Sequence, residues 1–335
     1  MLQNIIILVL SLGIILTGCE LFTNGIEWLG KKLNLGEGVV GSIFSAVGTC
    51  LPETLIPIIA LLFSKGRAES IDIGIGAIVG APFMLSTLAF FITGLSVVIF
   101  AKKRRTGYRL NINHQILSRD ISFFVVVYTS MIIVSIITTG IIKQLLAIIL
   151  IGCYILYIFK TVSSDHSNNT DIDELTFAKV FNVKTGILII VVQVVLALTA
   201  IIAGAELFVS NIEVVAKGFE ISTLALSIII TPVATELPEK FNSVIWISKN
   251  KDTLSLGNIT GAMVFQSCIP VSIGILATDW RLDSITLLSA LLALGSALVT
   301  FLWLKLKKSL NPLPLLFGGV FYLIFIIFLI ERGFK

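Results

Sequence analysis

Residues 18–53 and 204–239 align without a gap at an offset of 186, and 13 of the 36 positions are identical. The first copy opens GCELF and closes TCLPE; the second opens GAELF and closes TELPE. Both closing motifs interrupt long apolar stretches, so each carries a proline (Pro52, Pro238) and a carboxylate (Glu53, Glu239) into surroundings that disfavour both. An ionisable group at bilayer depth costs roughly 2.5–3.5 kcal/mol even on the lenient insertion scale, and it marks an ion or substrate path. A repeated pair of proline-broken, acid-bearing segments points to a transporter built from two related halves.

The rest of the chain fits that setting. With 56% hydrophobic and 13% charged residues, and a mean hydropathy of +1.02, it has the composition of a polytopic all-α membrane protein. About ten transmembrane helices are expected, near 4–30, 38–64, 70–101, 119–140, 142–161, 184–216, 222–248, 252–278, 281–304 and 310–331. Several exceed the ~20 residues that cross a bilayer, so tilt or kinks are expected. If both termini lie outside, sixteen of the 24 Lys and Arg residues fall in inside loops, seven fall outside, and Lys240 sits within a span. The positive-inside bias therefore supports an outside placement of both termini in the plasma (inner) membrane. The repeat copies start in spans one and six, an odd shift, so they insert in opposite directions as two inverted five-helix repeats. The expected organisation is a first repeat at 1–161, a cytoplasmic linker at 162–183 and a second repeat at 184–335.

Several function classes drop out. The net charge of +4 follows from the loop bias and gives no reason to expect nucleic-acid binding; KKRR at 102–105 reads as a stop-transfer signal beside lipid head groups. Cys19, Cys50, Cys153 and Cys268 stand singly, without zinc or disulfide spacing. His114 and His166 both fall in loops, and no GxSxG, HExxH or P-loop pattern occurs. No enzyme activity and no cofactor are expected. The expected partners are inorganic cations and membrane lipid.

The repeated motif suggests cation chemistry. Pro52 and Pro238 have no N–H for the helix ladder and loosen the turn before them. Freed carbonyls near Thr49 and Thr235, the two hydroxyls and the two carboxylates are hard oxygen ligands suited to calcium, sodium, magnesium or manganese. Two close carboxylates repel unless a cation or proton lies between them, which is the coupling principle of an exchanger. A second motif follows in each half, GAIVGA at 76–81 and GNITGA at 257–262, with glycines that permit close helix approach.

In these motifs the chain resembles the cation/calcium exchanger superfamily, which includes the sodium/calcium exchangers and whose two repeats read GTSxPE followed by GNxxGSN. The resemblance covers both halves. It implies a cation antiporter with Glu53 and Glu239 as ion ligands, supported by Thr49 and Thr235, and with calcium as the default substrate exchanged against sodium or protons. The carry-over is partial. The small residue seven before each glutamate is Ala46 in one half and Pro232 in the other. The serine after the threonine is Cys50 or Glu236. The serine of the GS pair is Ala81 or Ala262, and the Asx four residues beyond is Leu85 or Gln266. Glu236 and Gln266 thus join the candidate ligands, while several sodium-type hydroxyls are gone. Weaker sodium dependence is expected.

Lys240 adds a charge next to Glu239 and four residues after Glu236. An i,i+4 Glu–Lys pair meets on one helix face. Lys240 reads either as a built-in cation that replaces a transported one or as a side chain that snorkels to water. Glu20 and Glu206 are equivalent by the repeat and read as structural groups or as lining of the ion route. The alternative for the whole chain is a degenerate membrane protein of the same fold that no longer transports.

Overall fold

The computed structural model describes residues 2–32, 50–62, 68–137, 140–163, 174–218 and 236–332. Every element of regular structure among them is a helix, as bilayer spans of continuous apolar sequence require. In chain order they are α1 (Leu2–Lys32), α2 (Leu51–Leu62), α3 (Ala68–Met84), α4 (Phe90–Phe100), α5 (His114–Ile136), α6 (Gly140–Ser163), a short α7 (Thr176–Val180), α8 (Ile187–Gly218), α9 (Leu237–Ser248), α10 (Asp252–Ala277), α11 (Ser284–Lys307) and α12 (Pro312–Glu331). Eight spans among the described residues are long and apolar enough to cross a membrane, with α3 and α4 forming one of them. The two other expected spans, 38–64 and 222–248, are described only as the shorter helices α2 and α9.

α10 is the axis of the fold: 78% of its apolar window is buried, more than in any other span. It packs on α3, α5, α6 and α9. Around it lie Ile78, Phe83, Phe90, Phe124, Tyr128 and Trp280, all at most 1% exposed. Between α3 and α4 the chain makes a π-helical turn at Leu85–Ala89. Pro82 explains it: without an N–H it cannot continue the ladder, and the turn is taken up wider. The carbonyl of Ser86 accepts from Ser296 on α11. Gly318 on α12 lies directly on the Thr87 backbone, where a side chain would not fit.

α1 and α8 form a separate pair. A Cβ built on Gly18 would lie 2.8 Å from Ile201 Cγ1 and 3.2 Å from the Ala197 oxygen. A Cβ on Gly204 would lie 2.8 Å from Ile15 Cγ1 and 3.2 Å from the Ser11 oxygen. These contacts are the same ones with the two helices exchanged, since 15, 18 and 11 map to 201, 204 and 197 at the offset of 186. Asn4 donates to Asn211 at one end, and Gln193 donates to Leu21 O and Asn24 Oδ1 at the other. Residue numbers rise on α1 as they fall on α8, so the two helices run antiparallel.

The connections sort onto two faces. Arg105 N donates to Asn250 Oδ1, Asn113 N to Thr253 Oγ1, and Leu110 bridges to Leu310. Loops 101–113, 249–253 and 308–311 therefore share one face. On the opposite side Lys143 Nζ donates to the carbonyls of Asp279 and Trp280, and Arg332 donates to Ser284 Oγ at 2.7 Å. Loops expected inside thus meet one another, as do loops expected outside.

Candidate ion-binding site

The two Pro-Glu motifs fold alike. α2 starts at Leu51 and ends at Leu62; α9 starts at Leu237 and ends at Ser248, the same bounds shifted by 186. Each proline is the second residue of its helix and each glutamate the third. Proline is tolerated there because a first-turn N–H has no acceptor in the helix. The acids stand at the positive end of the helix dipole, which favours a carboxylate. Both prolines are expected inside spans, loosening the turn before them; in the described residues each stands in the first turn of a helix. The residues before them, with Ala46, Thr49, Pro232 and Thr235, lie outside the described part.

Glu53 is 2% exposed, and its Oε1 accepts from Gln266 Nε2 at 2.7 Å. Gln266 is 1% exposed. This bond joins the first-half motif to α10 of the second half. The amide holds one Glu53 oxygen, while its own carbonyl, Gln266 Oε1, has no hydrogen-bond partner among the described residues. A buried amide oxygen beside a carboxylate fits a hard cation. Beside Glu53, Cys50 is fully buried, and its carbonyl accepts from Thr54 N and Thr54 Oγ1. Ala81, Leu85 and Ala262, at positions where the resemblance leads one to expect polar ligands, are buried as well.

Glu236 precedes the first residue of α9, makes no side-chain capping bond and is fully buried. Its Oε2 lies 3.1 Å from Lys240 Nζ, with side-chain exposures of 0% and 6%. Lys240 is 5% exposed, and its ammonium lies with the acid on the same face of α9. The Glu239 side chain lies outside the described residues, although its backbone sits in the first turn of α9. Glu20 and Glu206 are both exposed on α1 and α8.

Two buried ionic clusters were not anticipated. Asp120 on α5 is 1% exposed; it accepts from Tyr157 Oη (3.1 Å), Thr260 Oγ1 (3.0 Å) and Arg119 Nε (3.1 Å). It ties α5 and α6 to the GNITGA stretch of α10. An acid in the first turns of an apolar span was the available signal. On the loop face, Arg104 and Asp252 form a bidentate pair at 2.7 Å for both contacts, with both side chains at 0% exposure. Arg104 also donates to the carbonyls of Gly107, Ile247 and Arg109, and Asp252 accepts from Asn111 N. In the sequence Arg104 reads only as an inside-loop charge.

Comparison with known proteins bears on the family and the fold. The model of the family described as "Sodium/calcium exchanger protein" matches residues 3–162 and 189–332. The uncharacterized membrane protein MJ0091 of Methanocaldococcus jannaschii is 24% identical over 304 residues, covering 89% of each chain. Among solved structures, the H+/Ca2+ exchanger CAX superposes with a TM-score of 0.77 at 17% identity, covering 98% of this chain and 82% of that one. The sodium-calcium exchanger NCX_Mj superposes with a TM-score of 0.61 at 19% identity, covering 97% and 98%. At these identities the likeness is one of fold.

Proposed function

This chain belongs to the sodium/calcium exchanger protein family, and on that premise we propose that it is a secondary active antiporter. It exchanges calcium or a similar hard cation for sodium or protons by alternating access around Glu53 and Glu239. Its family makes it a multi-pass membrane transporter rather than an enzyme, with cations as its substrates and no cofactor.

One observation carries the reading: the buried bond between Glu53 and Gln266, which brings a carboxylate of the first motif and an amide of the second half to one point. Glu236, Thr49 and Thr235 are the further ligands in this reading. Lys240 compensates charge beside them. The reciprocal packing of α1 and α8 supports an inverted arrangement of the halves 1–161 and 184–335, joined by the linker 162–183. A contact that maps onto itself between antiparallel helices needs a two-fold axis perpendicular to both, hence in the membrane plane. The shared face of loops 101–113, 249–253 and 308–311, with their basic residues, supports the cytoplasmic side for that face and the outside for both termini in the plasma membrane. Large apolar side chains left exposed on the helices, Ile136 and Leu188 among them, face lipid.

The counter-ion follows from the substitutions. Sodium needs weak neutral oxygens, and Cys50, Ala81, Leu85 and Ala262 supply none in their side chains. The test is flux in proteoliposomes with calcium, sodium, potassium and proton gradients imposed one at a time. Gradient-driven exchange supports the reading; a protein that binds no cation and moves none is the degenerate alternative.

A further inference from the structure

Beyond Lys240, which compensates charge in the proposed site, the interface between α9 and α10 carries polar groups that the site does not use. α9 brings Lys240 and Ser243 to it, one turn apart; α10 brings Ser255 and Asn258, again one turn apart. The helices are joined by residues 249–251, and Ser255 Oγ donates to Ser243 O at 3.3 Å. That bond sets an antiparallel register in which Lys240 lies level with Asn258, and Glu236 level with Ala262. Lys240, Ser243, Ser255 and Asn258 are 5%, 0%, 0% and 9% exposed. Among the described residues, Ser243 Oγ and Asn258 Nδ2 have no hydrogen-bond partner, and Lys240 Nζ has only its ion pair with Glu236.

Each buried polar atom left unpaired costs about 1–3 kcal/mol. The same interface satisfies Arg104 and Asp252 completely one turn further toward the loop face, so the fold does pair its polar groups where it closes. Unpaired groups in neighbouring turns are the setting in which proteins hold internal water, each molecule making two to four bonds. We propose that the α9/α10 interface holds a file of water running from Lys240 past Asn258 and Ser243 to Ser255, and that through it solvent and small uncharged hydrophilic species reach the Glu236–Lys240 pair from the face of loop 101–113. The charged groups around the file are few. Glu236 is on α9 itself, Asp252 on α10 is closed in its pair with Arg104, and α4, which also packs on α9, has none. With an ammonium at its inner end the file admits water and repels free cations. Transported ions therefore reach Glu53 by another way.

Cysteine accessibility tests this in proteoliposomes of the full-length protein, independently of whether it transports. Ser243→Cys, Asn258→Cys and, as a control on the same helix, Ile259→Cys are made in the otherwise native chain, and labelling is read at the single peptide by mass spectrometry. Ile259 is fully buried and faces hydrocarbon. Hydroxyethyl methanethiosulfonate, small and neutral, is expected to modify positions 243 and 258 on the order of tenfold faster than 259, because a hydrated site needs no local opening of the fold. The rate should be higher from the loop-101–113 side, and the cationic aminoethyl reagent should be slower than the neutral one. Should Ser243→Cys fail to fold, Ser255→Cys occupies the same level. Rates at 243, 255 and 258 equal to the control, or faster labelling from the opposite side, would overturn the proposal.

Discussion

Glu53 and Glu236 are both buried carboxylates, yet they are held in opposite ways. Glu53 meets the neutral amide of Gln266, whereas Glu236 meets the ammonium of Lys240. Replacing Glu53 with Gln keeps the shape and an acceptor for Gln266 but removes the charge. We expect cation flux in proteoliposomes to vanish while the melting temperature in detergent stays near wild type; flux at the normal rate would remove Glu53 from the site. Lys240→Met should behave differently. It strands a buried carboxylate, a loss of about 3–5 kcal/mol. Adding Glu236→Gln should restore most of that stability, and a double-mutant cycle on thermal unfolding reads the difference. At this scale the i,i+4 spacing of Glu236 and Lys240 offered their pairing as one of two readings, because both belong to one local segment. It did not carry Arg104 with Asp252 or Asp120 with Thr260. Those partners are 148 and 140 residues apart, and no local pattern says which loop cation turns inward.

Among the helices, the likeness of α2 and α9 follows from the duplicated motif: the same proline at the same position begins the same helix. The tight packing of α1 on α8 was harder to foresee. Gly18 and Gly204 stand out as a repeated pair, but a glycine signals close approach without naming the partner. Once known, the contact makes a reciprocal forecast. Gly18→Ala drives a methyl against Ile201 and a backbone oxygen, and Gly204→Ala does the same against Ile15. Each should destabilise by about 1–3 kcal/mol. Ile201→Ala, which removes the contacting Cγ1, should relieve only the first and Ile15→Ala only the second. Melting curves of the four single, two matched and two mismatched double variants decide it; equal rescue by either alanine would refute the pairing.

On the scale of the whole molecule, hydropathy and the positive-inside count were enough to order the spans and to group the loops that the structure brings together. They could not show which helix becomes the buried axis, because α10 is no more apolar than the far more exposed α8; its enclosure comes from packing on four neighbours. Two forecasts belong here. A reagent that cannot cross the membrane should reach a cysteine at Ser167 only from the cytoplasmic side, and labelling in intact cells would invert the proposed topology. In sodium-free vesicles an imposed pH gradient should still drive calcium uptake, whereas strict dependence on sodium would mean that the missing hydroxyls at positions 50, 81 and 262 are of no consequence. The α1–α8 contact bears on how such a machine rests. An interface that reproduces itself when its two members trade places has no intrinsic lean: whatever a tilt loosens at Gly18 it tightens at Gly204. The lean must come from the rungs that differ. Asn4 bonds to Asn211 at one end, while the counterparts of those two residues at the other end are Ile190 and Gly25, which have no side-chain amide to offer. At that other end Gln193 bonds to Leu21 O and Asn24 Oδ1, and its own counterpart is Ile7; two unlike amide rungs thus oppose each other across an otherwise even interface, and Asn4→Leu would remove one of them and shift the resting lean toward the other.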